Sequence, residues 1–317
     1  MTTSMSRRRL LVTGGAAAAV LATGLPAPAT AAPAPVRRGG ADVVLAWNRE
    51  LLATVRTPGL QPATVHPTRG FALLHAAMHD AVVATAGTGR PSLFTVDVPG
   101  AADPEAAAAQ AAHDVLAALY PTRAGEFGSL LAGQLAGLPP AGRDAGVRAG
   151  RLLARLLLGL RANDGSAAVP PVLPPGTAPG QYRPAPPAFA PAAFTHWAAV
   201  TPFVLDRANQ FRPGAYPALG SARYAKALRE VAAAGRDTST TRTADETLQA
   251  RFWAAPIWNY WNEIAQSVVG GSRSGLLVAA RVFARLNLTL RRRGDRVLRS
   301  EVPLPDLAAD HRDPPRR

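Results

Sequence analysis

The sequence predicts an all-α protein, and three observations support that prediction. Apolar residues recur every three or four positions through most of the chain, which is the spacing of one face of an α-helix. Several of these segments open with a helix-capping residue or with a proline in the first turn. No segment alternates apolar and polar residues as a half-buried strand does. We therefore expect a helical bundle without a sheet.

Five helices are predicted in the first half of the chain. Residues 42–56 and 67–86 carry apolar side chains at helical spacing, and the second of these segments is expected to bury one face. Asp103-Pro104 supplies an N-cap and a first-turn proline for an alanine-rich helix that ends near residue 120. Two further helices are predicted over 122–137 and 141–162.

A long proline-rich segment, residues 164–219, follows these helices. Irregular segments of this length are uncommon in compact domains. Aromatic residues recur within it, which favours a belt packed against the helical body over a solvated linker. These residues are Phe189, Phe194, Trp197, Phe203 and Phe211.

Helices resume after the belt. Ser221 is a predicted N-cap for a helix that ends at Gly235. The capping box that begins at Thr243 starts a helix that Pro256 interrupts. Two more helices are predicted over 257–269 and 274–290.

The last predicted helix, residues 274–290, carries an apolar face that requires a partner. The residues of this face are Leu276, Leu277, Ala280, Phe283, Ala284 and Leu288. No later predicted element covers them. We therefore expect an exposed apolar helix that lowers stability and mediates self-association.

The N-terminus has the pattern of an export signal. Arg7-Arg8-Arg9 precede a short apolar run that ends in alanine and proline, as in secretory signals of the twin-arginine type. The run is too short to span a bilayer, so no stable membrane anchor is expected after cleavage. The predicted parts are a signal peptide over 1–31, a body over 32–290, and a secreted or cell-wall-associated location.

Composition and charge exclude several classes of protein. The 317 residues include no cysteine, which excludes a disulfide scaffold, a thiolate metal centre and a cysteine nucleophile. The formal net charge is +14, but the arginines of the body are scattered and no aromatic platform lies between them. No nucleic-acid partner is therefore predicted.

His75, His79 and Asp80 are the candidate metal ligands. The i, i+4 spacing of the histidines puts both on one helical face. The segment lacks the glutamate of H-E-x-x-H zinc sites, and no third ligand is evident. Packing or hydrogen bonding against a neighbouring helix is therefore the favoured interpretation. An aromatic cluster near the helix break is expected to be core, and its residues are Phe252, Trp253, Trp258 and Trp261.

The order of these residues resembles the N-terminal half of secreted vanadium-dependent haloperoxidase-like proteins, which belong to the type 2 phosphatidic acid phosphatase superfamily. The resemblance spans residues 42–290 and implies the N-terminal part of a helical haloperoxidase fold. The segments that carry it are Trp47-Asn48, His75-Ala76-Ala77-Met78-His79-Asp80-Ala81, Thr201-Pro202-Phe203, Gln210-Phe211-Arg212-Pro213, Arg242-Thr243, Phe252-Trp253 and Trp258-Asn259.

The resemblance also implies an oxyanion site that this sequence lacks. In the family, K-x-x-x-x-x-x-R-P, P-S-G-H and R-x-x-x-x-x-H segments supply a lysine, two arginines and two histidines to vanadate or phosphate. None of the three segments occurs here. We therefore predict no catalytic residue, no cofactor-binding residue and no cofactor for this chain, and expect vanadate only in an intact form.

The Arg-rich tail, residues 291–317, breaks the helical pattern. One choice of permitted codons for Arg291 to Asp310, read after loss of one nucleotide, gives A-D-A-A-I-A-F-Y-E-A-K-Y-R-Y-R-I-W-R-P-I, which contains the missing K-x-x-x-x-x-x-R-P segment. We therefore expect the tail to be out of frame. The chain would then be a truncated, inactive member of a family that oxidises halide with hydrogen peroxide and vanadate.

Two alternative functions stay open. The intact form would hydrolyse phosphomonoesters through a covalent phosphohistidine, as the phosphatases of the superfamily do. Otherwise the chain would be a non-enzymatic secreted binding module whose Arg-rich tail contacts anionic cell-wall polymers.

Overall fold

The computed structural model describes residues 40–61, 66–206, 210 and 214–301, with the backbone alone for 292–301. These residues form α-helices and two 3-10 turns and contain no strand, so the all-α prediction is confirmed. The helices are α1 Ala41–Arg56, α2 Pro67–Ala86, α3 Pro104–Leu119, α4 Ala124–Ala136, α5 Pro140–Leu160, α6 Ala222–Ala234, α7 Ala244–Trp253, α8 Ile257–Gly270 and α9 Leu276–Glu301.

The predicted helix boundaries agree with the structure to within a few residues, except at the end of α9. That helix continues to Glu301, whereas the sequence pattern predicts its end at residue 290. Residues 291–301 contain no proline and include five arginines, which favour helix. The loss of an apolar stripe therefore did not end the helix. The signal segment 1–31 and the rest of the tail, 302–317, lie outside the described residues.

Helix α2 is the centre of the body. Every residue from Thr68 to Val83 is buried, because α1, α3, α5 and α9 all pack around it. The sequence prediction of one buried face was therefore too narrow. The buried polar side chains of α2, such as Arg69 and Asp80, have hydrogen-bond partners, as buried polar groups require.

Helices α3 and α5 approach each other through small residues. Side chains along α3 are mostly alanine, and α5 presents Gly146 and Gly150 to them. A Cβ atom on Gly150 would lie 2.3 Å from the carbonyl oxygen of Ala107. Glycine is therefore required here by contact with the neighbouring backbone.

The apolar face of α9 is covered, which corrects the expectation of an exposed helix over 274–290. Ala280, Phe283 and Ala284 are buried, since α9 packs on α2 and α1. The partner face comes from the start of the chain rather than from later helices. Self-association through this face therefore loses its structural basis.

The proline-rich belt packs against the body over part of its length. Trp197, Val200 and Phe203 are buried, whereas Phe189 is exposed. Phe211 lies outside the described residues. None of the described helices is both long enough and apolar enough to cross a bilayer.

Candidate functional site

A buried network of amide side chains joins four helices at His75. The Nδ2 atom of Asn48 on α1 donates to Nε2 of His75 at 2.8 Å and to Oδ1 of Asn262 on α8 at 2.7 Å. Asn262 and Asn287 on α9 exchange two further hydrogen bonds of 2.9 and 3.0 Å. Because His75 Nε2 accepts a hydrogen bond here, it carries no proton and the imidazole is neutral; burial lowers the pKa of His75 to about 3.

His79 and Asp80 serve a different part of the structure. His79 Nδ1 lies 2.9 Å from the hydroxyl oxygen of Ser92. The Asp80 carboxylate accepts hydrogen bonds from the backbone N–H groups of Ser92, Leu93 and Phe94. These contacts hold the segment after α2 against the helix. His79 Nδ1 lies 3.4 Å from Asp80 Oδ1, but His75 belongs to the amide network, and the described residues contain no group of three or more potential metal ligands.

The most charged interior site is an arginine cluster, defined here as Arg69, Arg161, Arg291 and Asp164. All four side chains are buried. Arg69, in the first turn of α2, donates from Nε to Asp164 Oδ2 at 2.8 Å and from Nη2 to the Arg161 carbonyl at 2.9 Å. Arg161, which follows α5, donates to the carbonyls of Thr201 and Pro202. The cluster thus ties the belt to the helical body.

Aromatic rings enclose two of these guanidinium groups. The Arg161 guanidinium carbon lies 4.0 Å from the centre of the Phe203 ring, and that of Arg291 lies 4.6 Å from the Trp197 ring. Both are cation–π distances. Sequence reasoning missed these arginines, because their positions give no motif and they converge only through tertiary packing.

Electrostatic effects show that the cluster carries excess positive charge. Burial lowers the pKa of Arg291 to about 9, and Arg69 and Arg161 oppose its charge further while Asp164 favours it. Burial alone would raise the pKa of Asp164, but hydrogen bonds from Arg69 and Ser166 lower it. Burial and the Arg291 charge lower the pKa of His66, the N-cap of α2, to about 4. Among the described residues, Asp164 is the carboxylate that favours the charge of Arg291.

The cluster does not fit a vanadate or phosphate oxyanion. Such a group needs several cationic donors around an open position and an imidazole nitrogen in line with it. Arg69 and Arg161 already donate to Asp164 and to backbone carbonyls, and Asp164 repels a second anion. Lys226 lies exposed on α6. We derive no catalytic step through vanadate for these residues.

The aromatic cluster near the helix break is not core, contrary to the sequence prediction. Phe252, Trp253 and Trp261 are exposed, and only Trp258 packs partly against the interior. The Trp258 and His66 rings meet edge-on, with their centroids 4.6 Å apart. The cluster lies on the outer side because Asn259 and Asn262 occupy the inner face of α8.

Helix α5 carries a basic stripe that the sequence analysis did not anticipate. Arg148, Arg151 and Arg155 follow helical spacing and are all exposed. They look scattered in the sequence, but the helix brings them onto one face.

A crystal structure of a bacterial vanadium-dependent iodoperoxidase is similar to this architecture. The TM-score is 0.62, with 21% sequence identity over 85% of this chain and 71% of the other. The chain has a vanadium haloperoxidase fold. No protein-family model matches the sequence, and no curated protein matches it significantly. Within this haloperoxidase fold, the described residues present a closed arginine cluster rather than an open oxyanion site.

Proposed function

We propose that the chain is a haloperoxidase-like protein that does not catalyse halide oxidation in the given reading frame. The similarity to the iodoperoxidase supports the family, together with the ordered segments between residues 42 and 290. The closed arginine cluster carries the proposal of inactivity, because Arg69 and Arg161 already donate to Asp164 and to backbone carbonyls. The three oxyanion-binding segments implied by the family are absent from the 317 residues.

Arg291 supports the proposal that the tail is out of frame. Its guanidinium is buried beside two other arginines, and its pKa falls to about 9. With the codons chosen above, alanine would replace Arg291 in the shifted frame, which would remove that positive charge from the cluster. The same codons would restore the K-x-x-x-x-x-x-R-P segment. The intact form would then be a haloperoxidase, or a phosphatase if the histidine forms a phosphoenzyme.

Sequencing the gene across codons 288–320, followed by assays of both products, tests this proposal. We expect the given chain to oxidise neither bromide nor iodide with hydrogen peroxide, with or without added vanadate. The shifted-frame product is expected to oxidise halide only when vanadate is present. Hydrolysis of p-nitrophenyl phosphate by that product, without halide oxidation, would favour the phosphatase alternative. Vanadate-dependent oxidation by the given chain would contradict the proposal.

The basic stripe on α5 favours a second function, which is contact with anionic cell-wall polymers. Arg148, Arg151 and Arg155 are exposed on one face, and such contacts weaken as salt screens them. Retention on purified cell wall should fall steeply with salt. Changing all three arginines to glutamine should reduce retention at low salt, whereas the same change at the exposed Arg273, Arg281 and Arg285 serves as the control. Equal loss in both variants would indicate nonspecific charge attraction.

Export by the twin-arginine route is likewise proposed from the sequence. A reporter protein fused to residues 1–40 should be exported, and changing Arg7, Arg8 and Arg9 to lysine should retain it in the cytoplasm. Changing Arg37 and Arg38 in the same way is the matched control. Export of the first variant would exclude this route.

A further inference from the structure

Helix α8 has apolar residues on both of its long faces. Ala265 and Val269 face the core and are buried. On the opposite side Ile257, Trp261, Ile264 and Val268 are exposed, at intervals of three or four residues. An apolar helix face is normally packed against a partner. The described part of the chain covers only the inner side.

The two helices before α8 also lack cover. Neither α6 nor α7 contains a buried residue. They nevertheless expose large apolar side chains, namely Leu228 and Val231 on α6 and Leu248, Phe252 and Trp253 on α7. Helices of this length are marginal in water unless an apolar face is packed. Their helicity therefore requires a partner surface.

Aromatic contacts connect α7 to α8 as one surface. The Phe252 and Tyr260 rings stack with their centroids 4.7 Å apart, and the ring centroids of Trp253 and Trp261 lie 6.3 Å apart. Arg242 links α6 to α7, since it donates to the Ala234 carbonyl at the end of α6 and to the Thr247 hydroxyl on α7. We call the exposed apolar residues of these three helices the α6–α8 surface. Its nine large apolar side chains are each between 37% and 68% exposed.

The size of the α6–α8 surface matches a protein–protein contact. Its nine side chains expose on the order of 900 Å² of accessible surface, close to the roughly 800 Å² that each partner buries in a standard interface. Exposed apolar patches on monomers rarely exceed a few hundred Å². The surface is therefore large enough to hold two chains together without further elements.

We infer that the α6–α8 surface is the contact between two copies of this chain. A twofold contact needs a surface that complements itself. Here α6 carries Arg223, Lys226, Arg229 and one acid, Glu230, whereas α7 carries Asp245, Glu246 and one base, Arg251, so the two helices have opposite net charge. Crossing α7 of one copy over α6 of the other would bring these opposite net charges together beside the apolar side chains. This contact replaces the predicted one through residues 274–290.

Light scattering on the purified full chain, after gel filtration at several concentrations, tests the inference. We expect the mass of a dimer at micromolar concentration, and because the contact is mainly apolar, 0.5 M salt should not dissociate it. Leu248→Glu and Val268→Glu should each shift the protein to a monomer by at least a tenfold weaker association. Both positions are highly exposed, so the fold tolerates the change. Val172→Glu, on an exposed belt residue, should leave the dimer intact.

Several results would overturn the inference. A monomer at all concentrations would exclude the contact, as would a dimer that the two charged variants leave unchanged. Polydisperse aggregates would contradict a closed twofold arrangement. Binding of the monomer to phosphatidylcholine vesicles would assign the surface to a membrane instead. None of these results depends on peroxidase activity, so the inference stands or falls separately from the proposed function.

Discussion

Replacing Arg291 with methionine is expected to stabilise the chain. The Arg291 side chain is fully buried over Trp197. Burial is the largest cause of its lowered pKa, the charges of Arg69 and Arg161 add to it, and Asp164 compensates only in part. Methionine retains an unbranched apolar side chain in the same space and removes the charge.

The size of the effect follows from the pKa and from the aromatic contact. Lowering the pKa of Arg291 from its ordinary value to about 9 corresponds to about 5 kcal/mol against the charged form. The cation–π contact with Trp197 stabilises the charged form by about 2 kcal/mol in a desolvated site. The free energy of unfolding should therefore rise by about 2–3 kcal/mol, and the melting temperature by about 5 °C.

The pH dependence has a defined sign. Below pH 9 the folded chain carries the charge on Arg291 and the destabilisation is fully present. As the pH rises through 9, the folded chain releases a proton that the unfolded chain keeps, so the free energy of unfolding rises. Between pH 7.5 and 9.5 we expect a gain of about 1 kcal/mol from this group. Arg291→Met should abolish that gain.

Urea denaturation followed by circular dichroism at both pH values measures these differences. Arg285→Met is the matched control, because Arg285 is exposed on the same helix and its replacement should change stability by less than about 0.5 kcal/mol. An unchanged or lower denaturation midpoint for Arg291→Met at pH 7.5 would refute the reasoning. So would a pH-dependent gain that persists in this variant.

Three further substitutions test the packing by urea denaturation. Gly150→Ala should destabilise by about 1–3 kcal/mol, because its Cβ would lie 2.3 Å from a carbonyl of α3. The control Gly133→Ala meets no atom within 4 Å and should stabilise by up to about 1 kcal/mol, so equal effects would exclude the clash. Asp164→Asn should cost about 3–5 kcal/mol, since Arg69 loses its charged partner, and a neutral result would show that the pair is dispensable. Asn262→Leu should cost about 2–3 kcal/mol because two buried asparagines lose hydrogen bonds, and no change in midpoint would contradict a structural role for the network.

The helices were predictable because their signals are local. Asp103 caps α3, Ser221 caps α6, and the Thr243 capping box opens α7, each as the sequence indicates. Capping depends on hydrogen bonds between residues two or three positions apart. Short-range chemistry of this kind can be read from the sequence alone.

Burial was harder to predict, since periodicity gives the faces of a helix but not their partners. The apolar face of α9 was expected to be uncovered, yet α1 and α2 cover it. The aromatic residues of α7 and α8 were expected in the core, yet they lie outside. The two errors have one cause, which is that an apolar residue does not specify the element against which it packs.

The sequence alone determined the all-α class, the helix starts and the unusual character of the tail, because composition, spacing and capping act within a few residues of each other. Only the tertiary structure decided that Arg69, Arg161, Arg291 and Asp164 meet in one buried cluster, since these residues come from distant parts of the chain. It likewise decided that the uncovered apolar surface belongs to α6–α8. The pKa of a charged group and the stabilisation from an apolar side chain both depend on which neighbours exclude water from it. Those neighbours are set by tertiary packing.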